Sequence, residues 1–150
     1  MYSRGVMYAY GKGVAQSYSL AVQWFRKDAD KGYAAAMFSL GVMYADGRGV
    51  PQSDTQAVQW FRKAANKDYA AAMSNLGLMY ANGQGVAQSD TQAIKWFRKA
   101  ADKDNAAAMY SLGVMYAYGN GVPQRDTQPV QWFRKAADKD YASAMFSSGV

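Results

Sequence analysis

Residues 70–100 read AAAMSNLGLMYANGQGVAQSDTQAIKWFRKA, and close copies of this stretch run along the whole sequence. The four tryptophans are each 36 residues apart, and Gly5 begins a series of glycines with the same step. Self-similarity at a fixed period of about 20–50 residues is the signature of a solenoid, a propeller or an array. The repeat is therefore a stronger predictor of the fold than any local pattern.

Each repeat contains two helical patterns, here called helix A and helix B. In the second repeat, Met37, Leu40 and Tyr44 form one apolar stripe at helical period. We expect helix A to end near Ala45, with Gly47 as its C-terminal cap. Gly41 lies inside this helix in every copy, which predicts a close approach of another helix where a side chain would not fit.

Helix B follows a loop that is rich in glycine and proline. Asp54 is its predicted N-cap, and Ser53 together with Gln56 fits a capping box. Ala57 and Phe61 belong to the stripe that we expect to be buried. Helices A and B therefore alternate along the chain, with short connections between them.

Two further sets of capping residues are predicted. In the fourth repeat Arg125 replaces the serine, so we expect Asp126 to cap helix B there, with Pro129 in the first turn. The aspartates that follow helix B lie where they can cap the next helix A. These aspartates are Asp68, Asp104 and Asp140.

Composition argues against catalysis and against membrane insertion. The sequence has no histidine and no cysteine, and all of its acidic residues are aspartates, so the usual near-neutral base and soft metal ligands are missing. We therefore expect no enzyme activity, no metal and no cofactor; an enzyme acting on cell-wall material is the weakest alternative. No apolar run approaches the roughly 20 residues of a membrane span. Residues 1–10 lack the pattern of a signal peptide.

Basic residues recur along helix B and leave a second function open. Arg26, Lys27 and Lys31 have counterparts in the other three repeats, and the formal net charge is +6. The ladder predicts attraction of an anionic partner, such as nucleic acid or an acidic polymer. However, cations also suit the C-terminal end of a helix, and the neighbouring aromatic residues belong to the core stripe, so nucleic-acid binding is disfavoured.

The spacing of the recurring residues resembles the Sel-1-like repeat (SLR) family, a relative of the tetratricopeptide repeats, over essentially the whole chain. The residues that carry the resemblance are Leu40, Gly41, Tyr44, Gly47, Gly49, Val50, Asp54, Ala57, Trp60, Ala64 and Ala65. The resemblance implies an all-α, right-handed superhelix of antiparallel helix pairs and a protein scaffold or adaptor function. It implies one array over residues 1–150, with about four repeats clipped at both ends.

Two departures from the family pattern stand out. The family usually has glycine after helix B, and here only Gly32 keeps it. Cysteine-rich bacterial relatives carry a disulfide in each repeat, which this chain cannot form. The resemblance is compatible with a periplasmic or secreted location for the intact protein.

One face of helix A varies between repeats that are otherwise near copies. By the resemblance this face lines a concave groove, so we expect a protein or peptide ligand there; the alternative is that its rings pack against neighbouring A helices. Phe38, Tyr110 and Tyr118 are the predicted anchors, and Asp46 and Asn82 the polar selectors. The full predicted set, called the groove face below, is Tyr2, Tyr10, Phe38, Val42, Asp46, Ser74, Leu78, Asn82, Tyr110, Val114, Tyr118 and Phe146.

The terminal repeats differ from the others at one apolar position. Arg4 and Ser148 stand where Leu40 and its counterparts occur, and these polar residues can be rudimentary caps or simple divergence. Because terminal A helices lack an outer neighbour, we expect end-to-end or swapped self-association at high protein concentration.

Overall fold

A computed structural model describes residues 3–120 and 128–139. These residues form eight helices and no strand, in agreement with the predicted all-α fold. The helices are α1 (Arg4–Tyr10), α2 (Tyr18–Asp30), α3 (Ala34–Asp46), α4 (Asp54–Ala65), α5 (Ala70–Asn82), α6 (Asp90–Asp102), α7 (Ala106–Tyr118) and α8 (Gln128–Asp138). Odd-numbered helices are the A helices of the repeat and even-numbered helices are the B helices.

The helices belong to two compact units. Unit 1 comprises Met1–Ala72 and Gln84–Val86, and unit 2 comprises Met73–Gly83 and Ala87–Val150. In unit 1, α2 packs against α1 and α3, and α4 packs against α3. In unit 2, α7 packs against α6 and α8. Each B helix is therefore packed against at least one A helix that is adjacent to it in sequence.

The core of each unit is built from a leucine of helix A and a phenylalanine of helix B. Leu76 is 0% exposed and Phe97 is 1% exposed. The predicted close approach at the helix-A glycine is confirmed: a Cβ atom on Gly77 would lie 2.6 Å from the Phe97 ring. The glycine removes the one side chain that would keep this ring away from the backbone of helix A.

Serine, and not aspartate, caps helix B. The Oγ atom of Ser53 accepts a hydrogen bond from the N–H of Gln56 at 3.2 Å, whereas Asp54 is the first residue of α4. The predicted N-cap at Asp54 is therefore one residue too late. The capping box is also incomplete, because the N–H of Ser53 donates to the carbonyl of Tyr44 at 2.9 Å and not to the Gln56 side chain.

A glutamine joins the end of helix A to the start of helix B. The Nε2 atom of Gln52 lies 2.8 Å from Oδ1 of Asp54 and 3.4 Å from the carbonyl oxygen of Ala45. Gln88 makes the same two contacts in the next copy. Asp54 is thus held by a side-chain donor in the loop, which explains an aspartate there without a capping function.

The aspartates that follow helix B end that helix and do not cap the next one. Asp68 and Asp104 have φ values of 64° and 63°, and Gly32 has 90° at the same point of its repeat. This left-handed conformation suits glycine and is tolerated by aspartate, which explains the departure from the family glycine. The cap of α7 is Asn105, whose side chain accepts from the N–H of Ala108.

The fourth repeat is described only in part. Pro129 is the second residue of α8, in the first turn as predicted. The predicted caps Asp126 and Asp140, and Arg125, lie outside the described residues.

Candidate functional site

A cavity of about 300 Å³ in unit 2 brings several predicted groove-face residues together. Leu78 and Asn82 of α5 line it on one side, and Tyr110 and Val114 of α7 line it on the other. The core residue Phe97 of α6 also lines this cavity. Two A helices and the B helix between them in sequence therefore create an opening with largely apolar walls, the amides of Asn82 and Asn120, and the carboxylate of Asp90.

Exposure on the groove face of unit 2 is uneven. Tyr118 is 74% exposed and Leu78 is 42% exposed, whereas Ser74 is only 4% exposed. Tyr110 is partly buried, and its ring centroid lies 5.4 Å from that of Phe133. Tyr118 and Leu78 are accessible to a ligand, while Tyr110 also packs on helix B.

The groove face of unit 1 contains a ring that takes part in packing. Phe38 is partly buried, with its ring centroid 5.7 Å from Phe61 and 5.4 Å from Tyr69. Its packing partners therefore include a helix-B residue, which the sequence interpretation did not foresee. Tyr10, at 72% exposure, and Asp46 are exposed, and Val42 is partly buried. Tyr2 and Phe146 lie outside the described residues.

A second cavity, of about 260 Å³, lies in unit 1 and contains a carboxylate that sequence reasoning missed. Val6 of α1 and Ser39 of α3 line it, together with Phe25 and Asp28 of α2. Val6 occupies the same position of the repeat as Val42, so this cavity lies beside the groove face too. The sequence did contain a sign of this carboxylate, because Asp28 stands where the other repeats have alanine.

The basic ladder on helix B is tied to aromatic rings of the same chain. The Nζ atom of Lys63 lies 4.5 Å from the centroid of the Trp60 ring. The guanidinium of Arg26 donates a hydrogen bond to the hydroxyl of Tyr44. Other repeats have the same contacts: Lys27 with Trp24, Lys99 with Trp96, Lys135 with Trp132, and Arg98 with Tyr116. Cation–π and hydrogen-bond contacts within the chain therefore explain why these basic residues recur, and no ligand is needed to explain them.

Within residues 3–120 and 128–139, the acidic residues do not cluster in a way that could hold a metal ion. No helix in that part of the chain is long and apolar enough to cross a bilayer.

A family comparison accounts for the repeat. The model of the Sel1 repeat matches four successive segments, residues 1–33, 34–69, 70–105 and 106–141. No curated protein sequence matches the chain significantly.

Solved structures of repeat proteins are similar to this chain. One is a protective antigen present in uropathogenic Escherichia coli strains, which displays an SLR fold; it shares 37% identity at a TM-score of 0.91, over 96% of this chain and 31% of that chain. A Sel1 repeat protein from Oxalobacter formigenes shares 33% identity at a TM-score of 0.87, over 96% and 59%. Cysteine rich protein B of Helicobacter pylori shares 26% identity at 0.58, over 59% and 67%.

These similarities confirm the predicted fold class, an all-α solenoid of helix pairs. The chain spans about a third of the length of the first structure and three fifths of the second.

Proposed function

Because this chain belongs to the Sel1 repeat family, we propose that it is a non-enzymatic scaffold that binds a peptide or protein segment on its groove face. Sel1 repeats are generally protein–protein interaction modules. The observation that carries the proposal is the cavity in unit 2, because Leu78, Asn82, Tyr110 and Val114 line it together. Apolar pockets with a few polar groups are the usual form of a recognition site.

The chemistry of this cavity suits one side chain of a peptide. Leu78, Tyr110 and Val114 offer apolar contact area, and the amide of Asn82 can donate to and accept from a peptide bond. Tyr118 is exposed on the same helix face and adds a rigid aromatic surface at little cost in side-chain entropy. We infer that an apolar ligand residue enters the cavity while Tyr118 contacts the adjacent peptide.

The competing proposal, an anionic partner on helix B, has weaker support. Several lysines and arginines on that face are held near the chain's own aromatic rings: Arg26, Lys27, Lys63, Arg98, Lys99 and Lys135. An anionic partner would have to compete with these contacts, although the lysines remain exposed. The proposed function therefore assigns these residues to packing and solubility.

The test begins with a peptide ligand selected from a displayed random library with the full 150-residue chain as bait. Binding of the selected peptide is then measured for Leu78→Ala and Tyr118→Ala. These variants are preferable to Phe38→Ala and Tyr110→Ala, whose rings also pack on helix B. We expect Tyr118→Ala to weaken binding about thirtyfold, the usual effect of losing an aromatic anchor.

Lys63→Ala and Lys99→Ala are the matched controls on the opposite face of the repeat. Both should change the dissociation constant less than about twofold at about 0.15 M salt, where long-range attraction is screened. All four variants must keep the circular dichroism of the original protein. If the lysine variants lose binding while the groove variants keep it, the anionic-partner function replaces the one proposed here. A steep fall of affinity with salt would then accompany it.

A further inference from the structure

Asp28 departs from the repeat at a position where an acid is unfavourable. Its counterparts Ala64, Ala100 and Ala136 are all 0% exposed. Asp28 is partly buried and lies in the last turn of α2, which ends at Asp30. A negative charge there opposes the helix dipole, and aspartate is a poorer helix former than alanine. The local structure thus offers the acid no advantage over alanine.

The carboxylate of Asp28 has no partner within residues 3–120 and 128–139. No hydrogen bond or ion pair reaches it in that part of the chain. The two serine hydroxyls of the same cavity are engaged elsewhere: Ser3 accepts from the N–H of Val6, and Ser39 donates to the carbonyl of Ala35. A carboxylate that lines a cavity and has no partner among the described residues is available to a cationic group of a ligand.

The cavity around Asp28 combines apolar walls with this one charge. Val6, Phe25 and Ala36 supply the walls, and the volume is about 260 Å³. Asp28 is the sole charged side chain among the described residues that line it. An alkyl chain that ends in a cation matches this arrangement, because its methylene groups gain apolar contact while the cation meets the carboxylate.

We propose that the cavity beside Asp28 binds a lysine or arginine side chain of a peptide on the groove face of unit 1. This inference rests on the proposed function, since it names the chemistry of a groove-face ligand. The alkyl part of the side chain lies against Phe25 and Val6, and its cationic end pairs with Asp28. Unit 1 selects a basic residue in this way, whereas the cavity of unit 2 accepts an apolar one.

The test uses n-pentylammonium chloride and n-pentanol as probes of the same length, added to the full chain at about 0.15 M salt. Amide chemical shifts in the NMR spectrum report binding, and Ala35, Ala36 and Ser39 should respond. We expect the ammonium compound to bind at least about tenfold more tightly than the alcohol. The reason is that a charged donor makes a stronger hydrogen bond to the carboxylate than a neutral hydroxyl does.

Substitutions at Asp28 assign the preference to its carboxylate. Asp28→Ala should fold, since the other three repeats carry alanine there, and it should remove the preference for pentylammonium. Asp28→Asn keeps the size of the side chain and should have the same effect. The matched control is Asp30→Ala, which removes the same charge from an exposed site two residues away and should keep the preference.

Two results would overturn the inference: equal affinity of the two probes for the original protein, or an unchanged ammonium preference in Asp28→Ala. Either result leaves the proposed function standing if peptide binding still depends on Leu78 and Tyr118. Conversely, if peptide binding ignores Leu78 and Tyr118 while pentylammonium still requires Asp28, the proposed function fails and the cation site remains.

Discussion

The two cavities are lined by equivalent helices of the repeat, but their lining residues differ in chemistry. Each is lined by residues of two A helices and by the phenylalanine of the B helix between them in sequence, Phe25 in unit 1 and Phe97 in unit 2. Both rings are buried, at 4% and 1% exposure. The repeat thus copies the packing residues closely and allows variation in the residues that face the open space. Ligand selection can then change from repeat to repeat without changing the core.

The acids in the two cavities show this difference most clearly. Asp90 lines the cavity of unit 2 in the first turn of α6, where the helix dipole favours a negative charge. Its Oδ1 atom lies 2.7 Å from Nε2 of Gln88. Asp28 has the opposite position, in the last turn of its helix, and no partner among the described residues. The first acid is explained by the fold, and the second is not.

The largest expected effect tests whether the helix-B phenylalanine contributes equally to the stability of both units. Phe25→Ala and Phe97→Ala should each lower the free energy of unfolding by about 3–5 kcal/mol, because each leaves a large void in the core. Urea denaturation followed by circular dichroism measures this loss. The exposed Thr91→Ala in α6 is the control and should change little. A loss below about 1 kcal/mol at either phenylalanine would show that this ring does not have the expected role in the core of its own unit.

An intermediate effect is expected when the acid is exchanged between the units. Ala100→Asp places a charge where alanine is 0% exposed, and should lower stability by about 3 kcal/mol, since the new carboxylate is buried without a partner. The reverse change, Asp28→Ala, should raise stability by about 0.5 kcal/mol from helix propensity alone. Thermal and urea unfolding of both variants test this pair. A clear destabilisation by Asp28→Ala would indicate a favourable contact of the carboxylate in the free protein.

The smallest effect separates the true cap from the neighbouring acid. Ser89→Ala should lower stability by about 1 kcal/mol, because the Ser89 Oγ atom accepts the N–H of Gln92 at 3.2 Å. Asp90→Ala removes only a dipole interaction and one side-chain contact, so we expect a loss of about 0.5 kcal/mol. The urea midpoints of the two single variants show which substitution costs more stability. The reverse order would restore aspartate as the dominant N-terminal residue of the helix.

Much of the fold was predictable from the repeat alone. The alternation of two helices, the glycine at the close contact and the capping position of Gly47 all follow from local patterns that recur with the 36-residue period. A pattern that occurs four times averages out local exceptions, so the assignment of helices A and B was sound. The errors in the helix assignment concern helix ends: the cap of helix B is one residue earlier than predicted, and Asp68 ends a helix and does not start one.

The sequence by itself determined the class of fold and the set of variable positions, because periodicity needs no knowledge of distances between helices. Only the tertiary structure decided that Lys63 lies over Trp60, that Phe38 packs on Phe61, and that Asp28 faces a cavity with no partner among residues 3–120 and 128–139. Packing between helices sets the exposure of a side chain and the groups within its reach. A one-dimensional pattern predicts which face a residue occupies, but not whether that face leaves a charge unpaired.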